Sequence, residues 1–275
     1  MIFNATVIDE ALRKIERLVD SNDVFNAEVE REVESMEVPA RLKNEFLKAL
    51  RGLLNPIKIP RRGFFIVVTG IDKSGKETQC FNPMKTPNVK SVKDFLVELK
   101  GEVLPISLPS YRTPLGSLVG AYLGAREVDV KLNGEVSEEY AWILWSLDRA
   151  QYNDAVKSWL SWKNHFVLAR RWIESNLCYQ TVRGVSEERI LRFERNIEKP
   201  DLILVIDITA EEALIRAREK DRYEKLDFLR KVREKLIEIS FRGLAGQTVI
   251  VNGFGSPSEV NKRLLEILSL YLGKS

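Results

Sequence analysis

Histidine is nearly absent from this sequence: His165 is the single one among 275 residues. A Ser-His-Asp triad would have to recruit it, and a metal site built from several histidines is impossible. The two cysteines, Cys80 and Cys178, give neither a disulfide framework nor zinc spacing, so a reducing, cytoplasmic setting is expected. No apolar run is long enough to cross a bilayer, and Met1 to Glu10 lacks the pattern of a signal peptide, so no membrane partner is expected. Glutamine is scarce (Gln79, Gln151, Gln180, Gln247) while 30% of residues are charged, a composition resembling that of thermophile proteins. A dominant charge sign is missing too. Lys and Arg number 43 against 40 Asp and Glu, a formal net charge of +3, which argues against a nucleic-acid partner. Any chemistry therefore falls to Lys, Arg, Asp, backbone amides and a cation such as Mg²⁺.

What is present reads in two parts. In residues 1–62, Ile8, Leu12, Ile15, Leu18 and Val19 recur at helical spacing, an acidic stretch follows, and Leu42, Phe46, Leu47, Leu50 and Leu54 form a second helical face. Asn55-Pro56 and Pro60 then break the pattern. This predicts a small N-terminal α-helical extension and linker, its apolar faces packed on the rest of the chain or on a partner. Residues 63–275 alternate strand and helix patterns, as an α/β fold with a parallel sheet and helices on both faces requires. Expected strands are 64–68, 103–108, 165–169, 202–206 and 248–251. Expected helices are 138–160, 186–197, 210–218, 226–239 and 258–272.

The apolar run Phe64 to Val68 leads directly into Gly70-Ile71-Asp72-Lys73-Ser74-Gly75-Lys76-Glu77-Thr78. G-x-x-x-x-G-K after a buried strand is a phosphate-binding loop: glycines let backbone N–H groups converge on phosphate oxygens, and Lys76 neutralises β/γ charge. The usual Ser/Thr after the lysine is Glu77 here, and Thr78 lies about 100° further round a helix. No residue is assigned to a metal; Glu77 is the one candidate.

Further stretches follow in order: Pro109 with Thr113-Pro114-Leu115-Gly116, Trp145-Ser146-Leu147-Asp148-Arg149-Ala150, Arg171 through Tyr179-Gln180, and the run Arg216 to Glu224. Together with the loop they resemble the thymidylate kinase family over residues 64–272. The resemblance implies a P-loop kinase fold, ATP and Mg²⁺ as cofactors, transfer of the ATP γ-phosphoryl group to dTMP, and a homodimer. Carried over by position, Gly70, Asp72, Lys73, Ser74, Gly75, Lys76 and Thr78 would hold the nucleotide, with Asp72 also near the dTMP sugar. Lys73 would stand where some members carry a catalytic arginine. Trp145 would stack on the base, Arg149 would hydrogen-bond it, and Tyr179 and Gln180 would line its pocket. Arg171, with Arg112 as a further candidate, would hold the acceptor phosphate. Arg216, Arg218 and Arg222 would reach the migrating phosphoryl from a lid at about 216–226.

Each has a plainer alternative: Trp145 as a core aromatic, the lid arginines as a solvated helix end, His165 and Cys178 as structural residues. Two departures bear on the metal. The motif's aspartate before Arg171 is Arg170, and its hydroxyl after Lys76 is Glu77, so a catalytically degraded relative is the alternative function. The opposite charges predict a Glu77–Arg170 ion pair. Pro83 and Pro87 predict a short phosphate-loop helix.

Overall fold

The structure, a computed structural model, describes residues 1–217 and 223–273, the side chains of 223–225 apart. In chain order its elements are β1 (Ile2–Asn4), α1 (Ala5–Ser21), α2 (Ala27–Glu34), α3 (Ala40–Leu53), β2 (Phe64–Thr69), α4 (Lys76–Phe81) and α5 (Val92–Glu98). There follow β3 (Glu102–Ser107), α6 (Pro114–Tyr122), β4 (Lys131–Asn133), α7 (Glu138–Ala150), α8 (Asn153–Trp159), β5 (His165–Arg170) and α9 (Ile173–Val182). The chain ends through α10 (Glu187–Phe193), β6 (Leu202–Asp207), α11 (Ala210–Ala217), α12 (Tyr223–Ser240), β7 (Gln247–Asn252) and α13 (Pro257–Leu272). These divide into two compact units.

The first unit comprises Met1–Pro60, Ser107–Ser158 and Arg183–Glu198. Helix α1 begins because Asn4 accepts the N–H of Thr6. It buries Ile8, Leu12, Ile15 and Val19, one stripe at helical spacing. Such a stripe needs a partner, and α7 supplies it; α3 packs on α7 as well. The first 60 residues are thus joined in one unit by later segments. Gly52 lies so close to α7 that a Cβ there would meet the Ala150 carbonyl oxygen at 2.3 Å. Asn153 donates to the carbonyls of Gly52 (2.8 Å) and Asn196 (3.0 Å). The extension also carries a short strand, β1, paired in parallel with β4. The single helix expected over 138–160 is interrupted: Gln151 turns its side chain back onto Asp148, and α8 restarts at Asn153.

The second unit, Arg61–Ile106, Trp159–Val182 and Lys199–Ser275, holds a five-stranded sheet in the order β3-β5-β2-β6-β7. The pairs β2–β5, β2–β6 and β6–β7 are parallel. All five expected strands form, within one or two residues of their expected ends. Central strands are apolar throughout because both faces are covered. On one face Ile66, Val68, Leu168, Leu204 and Ile206 pack with Cys80, Val92, Leu96 and Leu264 from α4, α5 and α13. On β6, α12 also packs. His165 is half-buried at the start of its strand beside the Lys163 carbonyl, and Cys178 is buried.

Candidate active site

The site in the second unit grows out of the carboxyl end of β2. Gly70 has φ 148°, and a Cβ there would meet the Ile206 carbonyl oxygen at 2.5 Å and Ser74 Oγ at 2.6 Å. Only glycine lets the strand turn so tightly under its neighbour. Gly75 has φ 92° with open space where a Cβ would stand. The loop therefore presents bare backbone outward, the form of a phosphate cradle. Helix α4 spans only Lys76–Phe81 and stops at Asn82, whose φ is 42°, just before Pro83. The short helix predicted from the prolines is what forms.

Lys76 folds over the loop. Its Nζ is buried and donates to the Ile71 carbonyl (2.6 Å) and to Ser74 Oγ (3.2 Å). Burial lowers its pKa well below the ordinary lysine value, and the charges of Arg171 and Arg170 lower it further against the pull of Asp72. A desolvated ammonium beside two guanidiniums is a site that an anion would relieve. Thr69 Oγ1, buried at the strand end, has no hydrogen-bond partner among the described residues.

Arg171 faces the loop from the neighbouring strand end. It adopts φ 69°, uncommon for a side chain of this size and a strain of order 1 kcal/mol. Its backbone N–H is tied to the Val68 carbonyl at 3.1 Å. Its guanidinium pairs with Asp72, donates to Ser175 Oγ (2.6 Å) and lies 5.1 Å from the Tyr179 ring centroid. Desolvation raises the Asp72 pKa, but Arg171, Lys76, a Tyr179 hydrogen bond and Lys73 outweigh it and hold the carboxyl below its ordinary value. Burial pushes the Tyr179 hydroxyl up. Arg216, at the end of α11, donates to the carbonyls of Lys73 (3.4 Å) and Gly253 (3.1 Å) while paired with Glu212 at 2.8 Å. The structure thus brings Asp72, Lys73, Lys76, Arg171, Tyr179 and Arg216 around one loop. Gln180 is buried on α9. Arg218 and Arg222 lie outside the described residues.

In the first unit, Trp145 is half-buried on α7, its ring edge-on to Tyr122 at 5.5 Å. Arg112 is exposed. Arg149, expected to hydrogen-bond the base, is engaged with Glu194 in this structure. It is buried, Nε donates to Glu194 Oε2 at 3.1 Å, and Nη2 pairs with the other oxygen. Ser146 Oγ donates to the same carboxylate at 2.5 Å. Asp148 accepts from the Ser110 N–H (2.9 Å), the Ser110 hydroxyl and Gln151 Nε2 (2.8 Å). Burial still raises its pKa to about 6. Neither Glu194 nor Ser110 is marked by the sequence; Glu194 is one acid among several near the end of α10.

Metal ligands are not assembled here. Among the described residues, no group of three or more His, Cys, Asp or Glu stands ready to hold a metal ion. The predicted Glu77–Arg170 ion pair does not form: Glu77 is exposed in the first turn of α4, and its side chain makes no ion pair among the described residues. Of the oxygen donors that Mg²⁺ requires, the described residues offer the Asp72 carboxylate, tied to Arg171, and the exposed Glu77 carboxylate, so most of its shell would come from nucleotide phosphates and water.

The sequence model described as thymidylate kinase matches residues 68–263, most of the chain, with the whole loop and all of the sheet except residues 64–67 of β2. The chain belongs to the thymidylate kinase family. It is 33% identical over 180 residues to a probable thymidylate kinase of Methanocaldococcus jannaschii, covering 64% of this chain and 81% of that protein. It is 26% identical over 213 residues to the thymidylate kinase of Dictyostelium discoideum, covering 75% of this chain and 85% of that one. The solved structure of thymidylate kinase from Candida albicans shares the fold, with a TM-score of 0.55 at 22% identity over 78% of this chain and 95% of that chain. Within the family match, the loop is complete in Gly70, Gly75 and Lys76, and the departures are Glu77 and Arg170.

Proposed function

We propose that the protein is a nucleoside monophosphate kinase of the thymidylate type, moving the γ-phosphoryl group of ATP to dTMP and releasing dTDP and ADP. The observation that carries this reading is the buried Lys76 ammonium folded over the Gly70–Gly75 loop, with Arg171 held beside it by Asp72 and Ser175. Phosphoryl transfer asks a protein mainly for positioning and charge, and needs no histidine. The loop amides and Lys76 take the donor phosphates. Arg171, pre-oriented by three neighbours, takes the acceptor phosphate, and Arg216 meets the moving group. The resemblance also gives Asp72 a place near the acceptor sugar. In the first unit, Trp145 offers an indole face for the base, and Arg149 lies one helical turn further along α7.

ATP fits the loop as donor. Among the described residues no group of three or more His, Cys, Asp or Glu is placed to hold a metal, so Mg²⁺ would be held mainly by the nucleotide and water, and no step is assigned to a protein-held metal. Cytoplasmic location and a homodimer remain parts of this proposal, the first supported by the two buried free cysteines. No helix among the described residues is long and apolar enough to cross a membrane.

A coupled assay for ADP release with ATP, Mg²⁺ and dTMP tests the function. Turnover that requires dTMP is expected. Folded protein releasing no ADP would overturn it.

A further inference from the structure

Helix α12 carries an aromatic side chain that the proposed function leaves unused. The core side of the helix is Leu229, Val232, Leu236 and Ile239, all buried. Phe228 stands off that row. It is half-buried, and its ring meets the Tyr179 ring of α9 edge-on, with centroids 6.1 Å apart. Rings at that spacing and angle attract one another. Lys231 and Lys235 continue the same face of α12 at helical spacing. With Thr181 and Val182 of α9 they line an open groove of about 290 Å³. Among the described residues, Phe228 with Tyr179 is thus the ring pair that joins the two helices, and the seam beyond it is charged and open.

Tyr179 in turn touches both members of the Arg171–Asp72 pair. The Arg171 guanidinium lies 5.1 Å from its ring centroid. Its hydroxyl accepts from Arg171 Nη2 at 3.5 Å and donates to Asp72. Ser175, one helical turn earlier on the same side of α9, accepts from Arg171 Nη1 at 2.6 Å. A guanidinium grips a phosphate through two parallel hydrogen bonds only when the plane of its fork is fixed. Here the ring beside it and the Ser175 hydroxyl fix that plane, and both stand on α9. Helix α12 is itself well anchored. Arg233 forks onto Asp207 of β6 at 2.6 and 2.7 Å, and Arg230 pairs with Glu211 of α11 at 2.6 Å. Phe228 therefore braces Tyr179 from a helix held at two other points.

We propose that Phe228 is a positioning residue for the acceptor: it holds the Tyr179 ring against Arg171 and so sets the plane of the guanidinium that receives the dTMP phosphate. The inference rests on the reading of Arg171 as the group that takes the acceptor phosphate. Phe228 acts through Tyr179, so its removal affects the acceptor and spares the donor, whose phosphates the loop amides and Lys76 take.

Calorimetric titration of dTMP, and separately of ATP, into the full-length protein tests this. Phe228→Leu keeps apolar bulk and loses the ring. It should weaken dTMP about 3- to 10-fold, the equivalent of one edge-to-face ring pair, and leave ATP within about twofold. Phe228→Tyr keeps the ring and should bind dTMP as the natural protein does. In a Tyr179→Leu background, Phe228→Leu should add no further loss, because residues that act through one contact are not additive. Equal losses for dTMP and ATP, or losses that add in the double variant, would show a general packing role and overturn the proposal. Natural protein that binds dTMP, with Phe228→Leu binding it equally well, removes this inference alone. Natural protein that unfolds cooperatively and binds ATP but not dTMP removes the acceptor reading and this inference together.

Discussion

The ion pair between Arg149 and Glu194 makes a quantitative prediction about the first unit. Both side chains are almost wholly buried, at 3% and 1% exposure, so water screens neither. Glu194→Gln keeps the shape and removes the charge. It leaves the Arg149 guanidinium buried without its counter-ion and weakens the acceptor used by Ser146 Oγ. Breaking one side of such a pair costs about 3–5 kcal/mol. For a protein of this size each kcal/mol moves Tm by roughly 2–4 °C, so a fall of about 6–20 °C is expected. The double change Arg149→Leu with Glu194→Leu should recover most of that loss, because the pair's own desolvation cost disappears with it. Scanning calorimetry on the three proteins checks the cycle. A single variant losing less than about 1 kcal/mol, or a double variant no better than the single, would refute the reasoning, since either result would mean the carboxylate is not what compensates the buried guanidinium.

Three further outcomes are expected. Asp148 has its pKa raised from 3.8 to about 6 by burial, so the folded state holds its proton more tightly than the unfolded chain. Its contribution to stability is fully present below about pH 4 and is lost as pH rises to about 6, a swing on the order of 3 kcal/mol; urea unfolding across that window should show the decline in the natural protein and its absence in Asp148→Asn. Lys76→Met removes a desolvated charge, so stability should hold or rise by about 1 kcal/mol while turnover in the coupled assay falls by about 10³-fold or more. Arg171→Met removes the hydrogen bonds meant for the acceptor phosphate and should lower kcat/KM for dTMP about 10- to 100-fold, read from initial rates at varied dTMP.

The sheet is legible in the sequence because buried parallel strands are short, continuous apolar runs, and Phe64–Val68 and Leu202–Ile206 stand out from their polar surroundings. The loop is legible because its glycines and lysine are adjacent in sequence. The Glu194–Arg149 pair is not, since the two lie 45 residues apart and nothing local distinguishes Glu194 from its acidic neighbours. The break after Ala150 escapes notice because the helical periodicity continues through it; a glutamine side chain folding back on Asp148 leaves no trace in an apolar pattern. The three-residue pairing of β1 with β4 is too short to carry alternation. Charge singles out Glu77 and Arg170, but sign alone does not pair them, and the first turn of α4 leaves Glu77 in solvent.

The packing of α1 and α3 on α7 also separates two boundaries that are easily equated. The family match begins at residue 68, yet the first unit begins at Met1. A chain cut at the family boundary would strip α7 of the stripe formed by Ile8, Leu12 and Ile15 and leave Asn153 without the Gly52 carbonyl it holds. Such a fragment would present an apolar surface to water and self-associate. For this member of the family, the segment that precedes the family match packs within the first unit together with residues 107–158 that the match includes.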